Sequence, residues 1–207
     1  MKPAAYPQNW YWLADDGRLF SSATETLVAV DDPDYVAWDV TYDAAPWPLD
    51  GAGVQSDAAL QAILEPYNLF ANLKYYTVNK RWRKETGGLT ATAGFAIRTD
   101  DRSQAKLTGL YTASQENPAV ITQYHAADNT VQQVDAAGMY QLHVDLLTHI
   151  NFCFDTSKTV LEGIVGGTIT TREQVDAAFD APMTQAQKNW LKRAKPPAKD
   201  AEAKEKK

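Results

Sequence analysis

The sequence is poor in the residues that most catalytic and metal sites depend on. Its 207 residues include one cysteine, Cys153, and three histidines. A single thiol excludes an internal disulfide and a zinc site built on several thiolates, and it favours folding in a reducing cytoplasm. Charged residues or prolines interrupt every long apolar stretch, so no segment has the roughly 18 apolar residues of a membrane span. We therefore expect neither a membrane span nor, from the first residues, a signal peptide.

The sequence does contain an ordinary globular composition with an uneven distribution of charge. Apolar residues make up 44% of the chain and charged residues 22%, which is typical of a folded protein rather than a disordered one. The formal net charge is -6. Residues 1–69 hold eleven acidic against two basic side chains, whereas residues 188–207 hold eight basic against three acidic ones. An acidic chain is a poor general binder of nucleic acid, so we expect no such partner.

Residues 1–69 have the pattern of a small, acidic and aromatic-rich α+β unit. Aromatic runs flank the turn signal Asp15-Asp16-Gly17, and Asp32 before Pro33 is typical of a helix start. The predicted elements are a hairpin over 10–20, a strand over 27–30, helices that begin at Pro33 and Asp57, and a rigid proline-containing loop over 45–51.

Residues 70–182 predict a second α+β domain, and residues 183–207 an amphipathic helix followed by a disordered basic tail. The pattern predicts a basic helix that ends at Gly87-Gly88, hairpins over 89–98 and 120–134, a helix capped by Thr99 or Asp100, a long helix over about 136–164, and short helices from Thr171 and Thr184. The whole chain is expected to be α+β.

The predicted long helix over residues 136–164 has an apolar stripe that is wider than a simple helical seam. Met139, Leu142 and Leu146 begin this stripe at helical spacing. Stripes of this kind pack helices together in oligomers, so the chain could self-associate through this helix.

Catalytic chemistry has few candidate residues here. Cys153 follows His149 by four residues, which allows a thiolate–imidazole pair, but flanking phenylalanines favour a buried, inert cysteine. His143 precedes His149 by six residues, which turns the two rings to different helix faces and disfavours a shared metal. The acids of residues 1–69 fit turns and helix caps better than a glycosidase pair. We predict no enzyme activity, no catalytic or metal-binding residue and no cofactor.

The tryptophans are the most distinctive feature for a binding function, because aromatic side chains anchor both small cores and protein interfaces. Four of them are candidate partner contacts: Trp10, Trp12, Trp47 and Trp82. We expect Trp47 to be partly exposed between its two prolines, although a small domain could use the N-terminal rings as its core. Trp82 lies in a basic run, residues 80–84. This run fits a solvated helix face, or a segment that forms ion pairs with the acidic first region, better than a nucleic-acid site.

Separated pieces of the second region occur in the order of a known family. The pieces are Arg83–Gly88, Ile97–Asp100, Ser103–Leu107, Ala126–Asn129, Asp135–Ala137 and His149–Phe154. Through them, residues from about 81 to 154 resemble the uncharacterised DUF4376 family of phage and prophage tail regions. Tyr124 and His125 stand where the family has a tryptophan or similar residue. The family has no established activity, so the resemblance implies a genomic setting near tail fibres and no site residues.

The first region resembles the leading part of tail-fibre assembly proteins in its Trp-Tyr-Trp strand at residues 10–12 and its Tyr-Val-Ala-Trp helix at residues 35–38. The two resemblances imply a phage or prophage protein that contacts a tail fibre or another tail protein. We expect a chaperone-like role in fibre assembly, in the cytoplasm of the bacterial host. A structural tail component retained in the virion is the alternative, and a glycan-active enzyme is third.

Overall fold

The structure, a computed structural model, describes residues 7–189, and these divide into two compact units. Unit 1 consists of residues up to 79 together with 163–172, and unit 2 of residues 80–162 and those from 173 onward. Helices combined with small sheets confirm the predicted α+β class. The domains expected at 1–69, 70–182 and 183–207 stay predictions, and the expected basic tail lies outside the described residues. Within 7–189, no helix combines the length and apolar character of a membrane span.

Unit 1 is built on a four-stranded sheet with the order β3-β2-β1-β4. The strands are β1 (Tyr11–Leu13), β2 (Leu19–Ser21), β3 (Thr26–Val28) and β4 (Ala45–Pro46). β1 and β2 form the predicted hairpin, and Gly17 in its turn has a φ of 86°, which glycine adopts without a steric penalty. β4 pairs in parallel with β1 inside the stretch that was predicted to be loop. Proline is tolerated there because β4 is an edge strand.

Two helices cover the two faces of this sheet. α1 (Pro33–Asp39) begins after Asp32, whose carboxylate accepts the N–H groups of Asp34 and Tyr35, and α2 (Asp57–Leu64) begins after Ser56. Successive strand residues point to opposite faces, so the unit has two core layers. The layer with α2 contains Trp10, Trp12, Ala14, Phe20, Trp47, Leu60, Leu64 and Ala71. The layer with α1 contains Tyr11, Leu19 and Tyr35 against Val28, Trp38 and Ala44.

The remaining elements follow the predicted order. They are α3 (Leu73–Thr86), β5 (Leu89–Thr90), β6 (Ala96–Ile97), α4 (Asp101–Glu116), β7 (Thr122–His125), β8 (Val131–Val134), α5 (Ala136–Val165), α6 (Arg172–Asp180) and α7 (Gln185–Lys188). β5 pairs with β6 and β7 with β8, each pair as an antiparallel hairpin. α7 begins at the predicted Thr184 cap, and the predicted continuation of this helix to Lys195 lies outside the described residues beyond 189.

The long helix α5 supplies most of the core of unit 2. Its apolar stripe, from Met139 through Leu142 and Leu146 to Cys153 and Val160, is buried at 1% exposure or less. Its first part, Met139, Leu142 and Leu146, packs on the two hairpins and on α4, because a two-stranded hairpin cannot bury its apolar face alone. The centre of the surface on which we based self-association is therefore covered within the unit, whereas Phe154 at its margin is 51% exposed. Pairing of copies through it stays a prediction that this burial argues against.

Candidate functional site

Three of the four tryptophans that we considered as partner contacts are core residues. Trp10, Trp12 and Trp47 are 7%, 3% and 2% exposed. The Trp47 indole donates its Nε1–H to the carbonyl of Ser56 at 2.9 Å, and the guanidinium of Arg18 lies 4.5 Å above its ring. The expected partial exposure of Trp47 is therefore wrong, because the short strands of unit 1 offer few inward positions and large rings must fill the space.

Aromatic contacts hold this interior together. Trp10 meets Trp38 edge to face with ring centroids 4.9 Å apart, and Trp38 lies 5.2 Å from Tyr42. Tyr11 lies 4.9 Å from Trp38 on its other side. The clustering of aromatic residues in the first region thus reflects packing, and the partly buried Trp38 contacts both core layers.

Trp82 is the exception, with 53% of its surface exposed on α3. Its basic neighbours are engaged within unit 2: Lys80 pairs with Asp176 at 2.8 Å, and Arg81 pairs with Glu85 while its guanidinium covers the Phe154 ring. Asp176 and Glu85 are acids of the second region, so the suggestion that this run pairs with the acidic first region is wrong for Lys80 and Arg81. Trp82 remains a candidate contact residue.

His149 and Cys153 lie together on α5 as their spacing predicts, but their chemistry is that of a core. The Cys153 Sγ and the His149 Nε2 are 3.9 Å apart, and the same Nε2 lies 2.9 Å from the Lys84 carbonyl oxygen. Burial raises the pKa of the Cys153 thiol to about 12 and lowers the pKa of His149. Near neutral pH the thiol stays protonated and the imidazole uncharged, so the pair has no nucleophile. A neutral imidazole protonated at Nε2 donates to Lys84 and anchors the end of α3.

The other candidate groups also have structural partners. His143 stacks on Tyr111 of α4, with ring centroids 4.2 Å apart and planes 7° apart, and burial lowers its pKa. Among residues 7–189, no three His, Cys, Asp or Glu side chains lie together as a metal site would require. Asp50 accepts the N–H groups of Ala52 and Val54, which lowers its pKa, and Asp16 is similarly bonded to Arg18. These acids have the turn role that the sequence suggested.

A cleft of about 600 Å³ lies in unit 2 between the first hairpin and α5, and sequence reasoning missed it. The carboxylate of Asp145 lines this cleft. Asp145 accepts the Thr92 N–H at 2.6 Å, the Thr92 hydroxyl at 2.9 Å and the Gln141 amide at 2.8 Å. The carboxylate is thus occupied in fastening the hairpin to the helix, because backbone N–H groups at a hairpin tip need acceptors.

One segment of unit 1, residues 27–40, leaves several aliphatic side chains exposed. Its exposed aliphatic residues are Leu27, Val30, Val36 and Val40, each more than half exposed. Asp31 and Asp34 are exposed between them. Sequence reasoning did not single out this segment, because alternation and capping signals predict its strand and helix but not which faces stay uncovered.

The comparisons with known proteins identify the second region. A family model described as "Domain of unknown function (DUF4376)" matches residues 71–189, more than half of the chain. No curated protein and no solved structure matched. The match extends on both sides of the resemblance seen over about 81–154, and it includes the residues of unit 1 at 71–79 and 163–172. The chain therefore belongs to the DUF4376 family.

Proposed function

We propose that this chain is a tail-fibre-associated protein of a phage or prophage and assists fibre assembly by protein–protein contact. The observation that carries the proposal is the 27–40 segment, in which four aliphatic side chains stay exposed although the same unit buries Trp10, Trp12 and Trp47. Exposed apolar patches rimmed by polar residues are typical of contact surfaces, and the proposal is that this segment forms such a patch. The resemblances of both regions to tail-region families support the choice of partner.

The composition of the segment suits a contact that forms and releases. Its aliphatic residues supply apolar area, and its exposed carboxylates at Asp31 and Asp34 supply charge. Charged groups at the rim of an interface mainly raise the association rate and make binding sensitive to salt, whereas they add little permanent affinity. An assembly factor needs this combination, because it must leave the fibre once the fibre has folded.

The test is deletion of the gene from a phage or prophage that carries it, followed by complementation. We expect particles without fibres after deletion, and rescue by the wild-type chain. The variant V36D/V40D should fail to rescue, whereas I63D, a change at an exposed aliphatic residue outside the segment, should rescue. Mass spectrometry of purified wild-type particles should find the chain absent or far below the amount of fibre protein.

Two results would contradict the proposal. Fully fibred particles after deletion would remove the assembly role altogether. If purified particles contain the chain in stoichiometric amount, the chain is a structural tail component instead.

A further inference from the structure

We propose that β3 is a docking edge, on which an extended segment of the partner adds as a fifth strand to the sheet of unit 1. The added segment carries an apolar side chain opposite Leu27 and basic side chains near Asp31 and Asp34. This inference rests on the proposed function, in which a partner contacts the 27–40 segment. The inference specifies the part of the segment that the partner binds and the conformation in which the partner binds.

The two edges of the sheet differ in what they offer to an incoming strand. At the β4 edge, Pro46 and Pro48 have no N–H, and the Trp47 N–H already donates to the Leu13 carbonyl at 2.9 Å. At the other edge, β3 pairs with β2 on one side only. Alternate residues of an antiparallel strand turn their N–H and C=O groups away from the partner, so β3 directs at least one residue's groups outward. The prolines therefore block strand addition at the β4 edge, whereas the β3 edge can accept a strand.

The side chains of the sheet form a row that ends at this open edge. Trp12 pairs with Phe20, and Phe20 pairs with Leu27. Trp12 and Phe20 are buried, whereas Leu27 is 56% exposed. A strand added beside β3 would place a side chain next to Leu27, at roughly 4.5–5.5 Å between Cβ atoms, and would continue the row. The geometry therefore calls for an apolar side chain at that position.

Both ends of β3 are held in place before any partner binds. Glu25, directly before the strand, has a φ of 54°, and its carboxylate accepts the Phe70 N–H at 2.6 Å and pairs with Arg172. After the strand, the Asp32 N–H donates to the Ala29 carbonyl, and the Asp32 carboxylate caps α1. A strand fixed in this way loses little conformational entropy when it is paired.

The negative charge around β3 determines which kind of segment can add to this edge. Residues 1–69 hold eleven acids against two bases, and Asp31 and Asp34 are exposed just beyond β3. A second copy of this chain would bring another region with eleven acids against two bases to the interface, and like net charge opposes association. Lysine or arginine beside the apolar residue would instead be attracted. The occupant that we infer from this charge is a basic, apolar segment of a different protein.

The experiment measures binding of the full chain to the fibre protein encoded beside its gene. Leu27→Lys should weaken binding at least tenfold, because a lysine at an open edge repels a basic strand and removes the apolar contact. Leu49→Lys is the matched control, since Leu49 is also exposed in unit 1 and the charge change is the same; it should alter binding less than twofold. Hydrogen exchange of the amides over Thr26–Val28 should slow in the wild-type complex.

Each other outcome has a defined meaning. Leu27→Thr keeps strand propensity, so unchanged binding by both Leu27 variants would overturn strand addition even if V36D/V40D abolishes binding and the proposed function stands. No binding by the wild-type chain would instead contradict the proposed function itself. A wild-type dimer in sedimentation that Leu27→Lys dissociates would make a second copy the occupant and would also overturn the inference.

Discussion

Unit 1 and unit 2 fill their interiors with different side chains. Unit 1 uses mainly aromatic rings around strands of two or three residues, whereas unit 2 uses mainly aliphatic residues along a helix of 30 residues. A strand of three residues directs one or two side chains to each face, so each must fill a large volume. A long helix directs one inward every three or four residues, so smaller side chains suffice. Aromatic enrichment in a short region can thus reflect few core positions rather than a binding surface.

The units resemble each other in how they satisfy buried backbone groups, because both use side chains for this purpose. In unit 2, polar side chains of distant elements secure the end of α3: the Thr99 hydroxyl donates to the Glu85 carbonyl and His149 bonds to the Lys84 carbonyl. The last carbonyls of a helix have no partner within the helix, so these contacts replace missing hydrogen bonds. In unit 1 one buried amide does similar work, since Gln61 bonds to the Leu69 carbonyl and the Ala71 N–H.

The largest effect should come from the interiors. Trp12→Ala should lower the free energy of unfolding by about 4 kcal/mol, and Leu146→Ala by about 3 kcal/mol, because a deleted indole leaves the larger cavity. Urea unfolding followed by circular dichroism measures both losses. A larger loss of unfolding free energy for Leu146→Ala than for Trp12→Ala would contradict the idea that single aromatic side chains contribute most to the stability of unit 1.

The next effect contrasts ion pairs in the two units. The Glu25–Arg172 pair has side chains 13% and 31% exposed, whereas those of Lys158–Glu162 are 68% or more exposed. Glu25→Gln should cost about 1–2 kcal/mol, below the value for a fully buried pair because water screens part of it. Glu162→Gln should change stability too little to measure. Chemical unfolding at low and high salt tests this; equal losses would show that burial does not distinguish the pairs.

A smaller effect should be the same in both units. The Asp32 carboxylate caps α1 in unit 1, and the Asp135 carboxylate accepts the Gly138 N–H at the start of α5 in unit 2. Alanine at either position should cost about 1 kcal/mol, and asparagine less, because its amide oxygen still accepts the bond. Thermal unfolding of the four variants provides the comparison. A large difference between the alanine variants would mean that the units differ in more than their interiors.

The smallest effect is a pH dependence that belongs to unit 2. All three histidines lie within residues 80–162, and burial lowers the pKa of His149 and His143 below 6.5. Below pH 6.5 the unfolded chain therefore binds more protons than the folded one, so stability is full above this pH and falls as the pH drops. His149→Gln should reduce the fall in Tm between pH 7.5 and 5.5. The same substitution at an exposed position, His125→Gln, is the control.

Much of the fold can be predicted from local signals. The Asp-Gly turn predicts the hairpin of β1 and β2, the Asp32 and Ser56 caps predict α1 and α2, and apolar spacing predicts α5. Each signal depends on residues within a few positions of one another, where turn and helix geometry act. Those predictions agree with the structure to within a few residues.

Long-range features could not be predicted in this way. Trp12 pairs with Ala45 of β4, but two paired residues carry no periodicity, so the segment is indistinguishable from a loop. Glu25 and Arg172 are separated by 147 positions, and no local pattern links them. The candidate contact surface shows the same limit: its strand and helix are predictable, but the exposure of Leu27 depends on which elements cover the sheet.

The division of the chain into units has a consequence for synthesis on the ribosome. Unit 1 is made of residues up to 79 and of 163–172, so its last piece is translated after most of unit 2. At roughly 5–20 residues per second, Arg172 follows residue 79 by about 5–20 s. During that interval Glu25 lacks its ion pair with Arg172, and its hydrogen bond from the Phe70 N–H is the remaining contact of the two that hold the start of β3. The N-terminal unit thus reaches its final form only after residues 80–162 of unit 2 have been translated.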